Sequence, residues 1–374
     1  MEFELITAAA EFPAVMITGP KGAGKTTLVK QCFPNHAYVN LEHPAARALA
    51  MNDPKTLLAE HAPPVIIDEI QYALQLLTSI RDFIDHNPEE HSLFILTSNG
   101  TPGDMAETLG SRTALFTLMP LSFQELPAVE DAPHMILQGS MPEVHQRDIS
   151  PVDFWGDYFQ TFIERDLRNV LTVRNQQAFM SFITCAAQRT SMELNYRVMA
   201  QEAGVSAVQI KKWVSVLQDL CIIFTIPPYY QDFGKRLTQS PKCFFCDAGL
   251  AAYLMHITSA QQLEEHPRYE GLFENLVVSE ALKTRCHKGQ SPSLYYFREH
   301  NTYRIQLLYP SGSEHIPVEI TSSETFSSNL LSHLNYYKKI SGTRSPGMVV
   351  YTGEDEIDLE HARVRNYAKG FTLS

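Results

Sequence analysis

Three apolar runs in the first hundred positions each stop at a cluster of small or polar residues. Val15-Met16-Ile17-Thr18 runs into a glycine-rich stretch and then the helical TLVKQCF; Val65-Ile66-Ile67 ends in Asp68-Glu69; Ser92-Leu93-Phe94-Ile95-Leu96 ends in Thr97-Ser98-Asn99. Short runs with no polar alternation fit strands of a parallel sheet covered on both faces, and acids or amides at their C-terminal ends stand where open α/β sheets bind ligands. Between Phe179 and Tyr230 the pattern is helical. Val198, Met199 and Ala203 fall on one helix, Gly204-Val205 makes a tight turn, Ser206 is an N-cap, and Ile210, Val214 and Leu217 line a second helix. Strand-like IIFTI and the turn PPYY follow. The last third reads as helix (GLFENLVVSEALK), two hairpin strands (SLYYFREHNTYRIQLLY), strand (HIPVEIT), helix (SSNLLSHLNYYKKIS) and strand (GMVVYTG), an α-β-β-β-α-β order.

A chain of 374 residues is too long for one ordinary core. The pattern divides it into an α/β segment with a parallel sheet (1–130), a helical segment (131–240) and a second α/β segment (241–374). With 44% apolar and 19% charged residues and no low-complexity tract, it is a folded chain. No apolar run approaches a bilayer span and the N-terminus is acidic, which points to the cytoplasm. The 30 Lys and Arg against 42 Asp and Glu give a net charge of −12, so nucleic acid could be held only by a local basic patch. The close pair Cys243 and Cys246 lacks partners for a zinc site and reads as part of a buried strand.

Gly19-Pro20-Lys21-Gly22-Ala23-Gly24-Lys25-Thr26, between a strand and a helix, has the G-x-x-x-x-G-K-[ST] form in its required context. Glycines let the loop turn its amides inward, so that the stretch from Gly19 through Thr27 can wrap the phosphates of ATP. Lys25 is expected to reach the β- and γ-phosphates, Thr26 and Asp68 to hold Mg²⁺, and Glu69 to act as base on the attacking water. Asn99, at the end of the strand beside the Asp-Glu strand, is the favoured contact to γ-phosphate or water, with Thr97 and Ser98 as substitutes. Arg112, in LGSR between a helix and the next strand, is a candidate finger reaching the γ-phosphate of a neighbouring copy, which implies a homo-oligomer.

The combination GPKGAGKTTLVKQ, YVNLEHP, VIIDEIQ, FILTSNG, LGSR and PLSFQEL resembles bacterial and archaeal AAA+-type P-loop ATPases whose C-terminal half has no known function. GSMPEV, YFQTFIERDL, FFCDAGLAAYL and GLFENLVVSEALK extend the resemblance over nearly the whole chain. Within YFQTFIERDL, Arg165-Asp166 either holds domains together or senses nucleotide. The 196–230 stretch resembles a winged helix, which would put Gln209, Lys211 and Lys212 in a DNA groove with Lys235 and Arg236 at the wing tip, or would serve as a protein-contact module.

The α-β-β-β-α-β order resembles a restriction-endonuclease-like core. Such cores hold Mg²⁺ with an Asp on the hairpin strand and a Glu on the next strand, followed two positions on by a Lys. Here the matching steps are Arg304-Ile305-Gln306 and Glu319-Ile320-Thr321, with helix acids Glu274 and Glu280. An amide is a poor ligand in place of a carboxylate and Thr carries no ammonium charge, so a degenerate domain is expected, with Glu319 as a solvated strand-edge acid. The resulting expectation is a slow Mg²⁺-dependent ATPase driving movement of its output domains. A nucleotide-gated adaptor for DNA or a protein partner is the alternative.

Overall fold

The computed structural model describes residues 1–147, 149–161, 176–229, 240–299 and 302–369. The chain divides into two compact units, one of residues 1–120 with two short segments (218–221 and 285–291), the other of the remainder.

The first unit is built on a five-stranded parallel sheet in the order β2-β3-β4-β1-β5, with β1 Ala14–Thr18, β2 Ala37–Asn40, β3 Val65–Asp68, β4 Phe94–Thr97 and β5 Thr113–Thr117. The three apolar runs are its inner strands, and every residue of β1, β3 and β4 is buried. Alternate residues feed two separate cores. Ala14, Met16, Val65, Ile67 and Leu96 join the helix Leu76–His86 on one face, whereas Val15, Ile17, Ile66 and Ile95 pack with Leu5 and Val29 on the other. Each such aliphatic side chain contributes about 1.5–3 kcal/mol on burial, which explains why polar alternation is missing from these strands. Leu5 belongs to a helix, Glu2–Glu11, that the pattern of the first residues did not reveal.

In the second unit the helices Tyr196–Ala203 and Ala207–Asp219 are joined through Gly204 in the left-handed region (φ 67°), and the Ser206 hydroxyl caps the second by accepting from Gln209 N (3.1 Å). Met199, Ala203, Ile210, Val214 and Leu217 are buried as expected, together with Trp213. Strands β6 Ile223–Ile226 and β7 Lys242–Phe245 pair antiparallel. Cys243 and Cys246 are buried and free, as the strand reading required. Lys235, Arg236 and Arg165-Asp166 lie outside the described residues.

The helix Tyr269–His287 leads into a six-stranded sheet, order β12-β13-β11-β10-β9-β8. Strands β8 Tyr295–Glu299, β9 Tyr303–Ser311 and β10 Glu314–Ile320 form an antiparallel meander; the helix Leu330–Ser341 then crosses over to β11 Gly347–Tyr351, parallel to β10. The expected α-β-β-β-α-β order is therefore present. Two further strands, β12 Ile357–Asp358 and β13 Ala362–Asn366, extend the sheet past β11. β10 itself lies between β9 and β11, and Glu319 is 2% exposed. The expectation of a solvated strand-edge acid is corrected: neighbours on both sides cover the strand, and its carboxylate is held by His333 Nδ1 at 3.2 Å.

Candidate nucleotide site

The strand order places β4 between β1 and β3, so the glycine-rich loop after β1 and the acids after β3 are bridged by the tip of β4. Gly19 and Gly100 clamp the two tips with reciprocal backbone hydrogen bonds of 2.9 Å. Gly19 has φ 140°, and a Cβ there would lie 2.1 Å from the Leu118 carbonyl oxygen, so only glycine fits. Gly22 and Gly24 also take positive φ (83° and 97°), and the helix Lys25–Cys32 begins immediately after the loop. Lys21 is half-buried and Thr27 exposed.

Lys25 is 4% exposed and its ammonium touches no carboxylate within hydrogen-bond reach. It donates to the carbonyls of Gly19 (3.1 Å) and Pro20 (2.8 Å) and to Asn99 Oδ1 (2.8 Å). Burial lowers its pKa to about 8, although the nearby charges of Glu69 and Asp68 act in the opposite direction. An ammonium held on neutral acceptors in a dry loop is a charge that a polyphosphate can still claim.

Asp68, 1% exposed, gathers hydroxyls: Thr26 donates to both carboxylate oxygens (3.1 and 2.9 Å), Tyr38 donates at 2.7 Å, and Thr97 Oγ1 completes the set. Glu69 is a non-glycine residue in the left-handed region (φ 60°, ψ 47°), a conformation costing about 1 kcal/mol or more. The turn sends two consecutive acids to different neighbourhoods. Whereas Asp68 faces hydroxyls, Glu69 accepts from the side-chain amides of Asn99 (2.5 Å) and Gln71, and its backbone N–H donates to Thr97 Oγ1 (3.1 Å). Burial raises the Glu69 pKa above the usual glutamate range, against the pull of Gln71 and Lys25.

Asn99 thus touches both Lys25 and Glu69 and links the glycine-rich loop to the second acid. Arg112 is not brought to this cluster: within its own chain it pairs with Asp85 on the helix Leu76–His86. Two contributors escaped the sequence reading. Gln71, in VIIDEIQ, clamps Glu69 and accepts from Asn99 N (3.4 Å); Tyr38, in YVNLEHP, reaches Asp68 from β2, its ring under the Lys30 ammonium at 3.6 Å. Both stand in quoted motifs, but only the adjacency of β2 to β3 gives Tyr38 its partner.

The later motifs meet in a buried polar network of the second unit. Asp247 accepts from Ser140 N (2.8 Å) and Gly249 N (2.9 Å); Lys283 donates to Ser140 Oγ (2.8 Å) and Leu121 O (3.1 Å); Glu280 accepts from Phe123 N (2.9 Å). Asn275 bonds both the N–H and the carbonyl of Phe245 (2.7 and 2.9 Å). These side chains satisfy buried backbone groups, so GSMPEV, FFCDAGL and FENLVVSEALK are read as scaffold. The helix acid Glu280 belongs to that scaffold. Glu274 instead binds Lys242 Nζ at 2.6 Å.

Residues 11–127 match the family described as an AAA domain, and residues 129–261 and 269–368 match two domains of unknown function, DUF8612 and DUF4143. The chain is 27% identical over 358 residues to an uncharacterized protein of Mycobacterium tuberculosis and, equally, to one of Mycobacterium bovis, covering 93% of this chain and 78% of each relative. Among solved structures it is similar to a Walker-type ATPase of Pyrococcus abyssi (TM-score 0.42, 12% identity, 68% of this chain and 94% of that one). It is also similar to the Orc1 protein of Aeropyrum pernix in complex with DNA (TM-score 0.30, 12% identity, 68% and 90%). The AAA domain match, over the segment that carries the parallel sheet, supports a P-loop ATPase that binds and hydrolyses ATP. No helix among the described residues is long and apolar enough to cross a membrane.

Proposed function

We propose that this chain is a Mg²⁺-dependent ATPase whose nucleotide cycle drives its second unit, in the cytoplasm, on DNA or a protein partner. The observation that carries the reading is the cluster of Lys25, Thr26, Asp68, Glu69 and Asn99 at adjoining strand ends. Lys25 holds the β- and γ-phosphates, and the loop amides from Gly19 to Thr27 complete their cradle.

The residues present suit a hard cation: the Thr26 hydroxyl and the Asp68 carboxylate, already in contact, supply oxygen ligands and would hold Mg²⁺, which would neutralise phosphate charge when bound. Glu69 takes the proton of the attacking water. Its raised pKa supports this role, because a base works best when its pKa approaches the working pH. Asn99 is a positioning residue: its amide holds Glu69 while its carbonyl oxygen holds Lys25, so a γ-phosphate that claims Lys25 would also loosen the base. Arg112, already committed to Asp85, serves a neighbouring copy only if oligomerisation breaks that exposed pair.

The winged-helix reading of residues 196–230 is supported by the two helices around Gly204 and by the exposure of Lys211 and Lys212. A working nuclease in the last third is the less favoured reading, because Gln306 and Thr321 stand where the Asp and the Lys are needed and the remaining acids are already held, Glu274 by Lys242, Glu280 by Phe123 N and Glu319 by His333. The deciding measurement is steady-state phosphate release with and without duplex DNA. Glu69→Gln should retain ATP while slowing release by about 10²–10⁴-fold; unchanged release removes Glu69 from its role. Binding with no turnover in the unaltered protein would favour a nucleotide-gated adaptor.

A further inference from the structure

The second unit contains a cleft of about 680 Å³, framed by the turn after the helix Gln176–Gln188, the start of the helix Tyr269–His287 and the β8–β9 hairpin. A cavity of that size suits a small ligand. Its walls are charged, and the charges do not balance. Lys242 is matched by Glu274 at 2.6 Å and Arg298 by Glu193 at 2.7 Å. Glu270 accepts from the Ser322 N–H at 3.0 Å and from its hydroxyl. Three guanidinium groups in the same wall make no ion pair among the described residues; Glu274, already held by Lys242, attracts two of them, Arg268 and Arg304, from beyond contact distance.

Arg189 makes no side-chain hydrogen bond or ion pair among the described residues, and its Nε is buried without an acceptor. Arg268 donates from Nη2 to the Thr190 carbonyl (2.8 Å), and its Nε too is buried and unmet. Burial lowers the Arg268 pKa; the charge of Glu274 opposes that shift and the like charge of Arg189 adds to it. Exposed Arg304 lies on β9 with no hydrogen bond or ion pair among the described residues. Gln306, 7% exposed in the same wall, donates to Ile320 O (3.1 Å) and leaves its Oε1 buried with no donor.

Unmatched like charges and unmet polar atoms are a standing cost in a folded protein, and a ligand that brings negative charge removes it. Guanidinium forks match phosphate oxygens in both geometry and charge. We propose that this cleft binds a phosphate-bearing ligand of nucleotide size, with Arg189, Arg268 and Arg304 supplying the countercharge and Gln306 accepting from an N–H or O–H of the ligand.

Either a free nucleotide or one phosphate of a nucleic-acid strand could supply this chemistry, and two probes separate them. Calorimetric titrations of the full chain carrying Lys25→Ala, which disables the first unit's loop, would use AMP, tetrathymidylate and, as phosphate-free reference, adenosine. AMP or tetrathymidylate should bind saturably and adenosine should not. AMP alone identifies a free nucleotide and tetrathymidylate alone a strand. Arg189→Gln with Arg304→Gln should weaken that binding by about tenfold or more. If the double variant melts early, Arg304→Gln decides alone, since an exposed unpaired side chain is not needed for folding; a loss below about threefold then overturns the assignment. Absence of binding by both phosphate probes, adenosine binding as tightly as AMP, or an unchanged affinity in the well-folded double variant also overturns it.

Discussion

Lysine 25 in the first unit and lysine 242 in the second are both largely buried beside glutamates, yet they are treated in opposite ways. Lys242 sits directly on Glu274 at 2.6 Å, so each charge neutralises the other. Lys25 rests on two carbonyls and an amide oxygen, and Asp68 and Glu69 are satisfied by hydroxyls and side-chain amides. The first arrangement is closed. The second keeps opposite charges near each other but separately solvated by the protein, which leaves the ammonium available to an incoming polyanion at the cost of a depressed pKa. The candidate site is therefore distinguished less by the presence of charges than by their not being paired.

That contrast can be broken at either lysine. The largest effect on folding is expected for Lys242→Ala, which strands a buried carboxylate and should lower stability by about 3–5 kcal/mol in chemical denaturation. A loss no greater than that of an ordinary surface substitution would show that the pair is not closed. Lys25→Ala should act in the other sense: ATP binding, followed by calorimetry, weakens by about ten- to a hundredfold with the loss of a charge-assisted contact. Stability stays level or rises, because a desolvated charge is gone.

The pH dependence follows from the lowered Lys25 pKa. Above about 8 the free protein sheds the proton that polyphosphate binding requires, so ATP affinity should fall by up to roughly tenfold per pH unit above 8. Folding runs the opposite way. Between about 8 and the ordinary lysine value of 10.5 the unfolded chain holds more protons than the folded one, so this group makes stability rise with pH in that window. An affinity that is flat from pH 7 to 9.5 would mean that Lys25 is paired after all. The smallest change is Tyr38→Phe, which removes one of the donors to Asp68 and should cost about 1 kcal/mol of stability by thermal melting.

The inner strands of the first unit were legible because parallel strands covered on both faces leave continuous apolar runs, and their polar tips marked the loop, the acids and Asn99 by position alone. The helix-turn-helix was legible for a similar reason: its buried positions recur at helical spacing and Gly204 punctuates them. Glu319 was misjudged because the side chain that holds it, His333, comes 14 positions later on the helix Leu330–Ser341, and only the packing of that helix brings the two together. Arg112, where a finger to a neighbouring copy was expected, pairs within its own chain with Asp85, 27 positions earlier, a partner that no local pattern announces.

From the sequence alone came every chemical group of the candidate site except Gln71 and Tyr38, since residue type, loop glycines and strand termination are properties of short segments. The tertiary structure alone decided which of those groups meet. Sheet order puts β4 between the loop and the acids and makes Asn99 the bridge, and the left-handed turn at Glu69 parts it from Asp68. The same structure leaves Lys25 unpaired while binding Lys242 to Glu274. Pairing is a matter of a few ångströms between distant segments, and distance of that kind is written in the packing rather than in the order of residues.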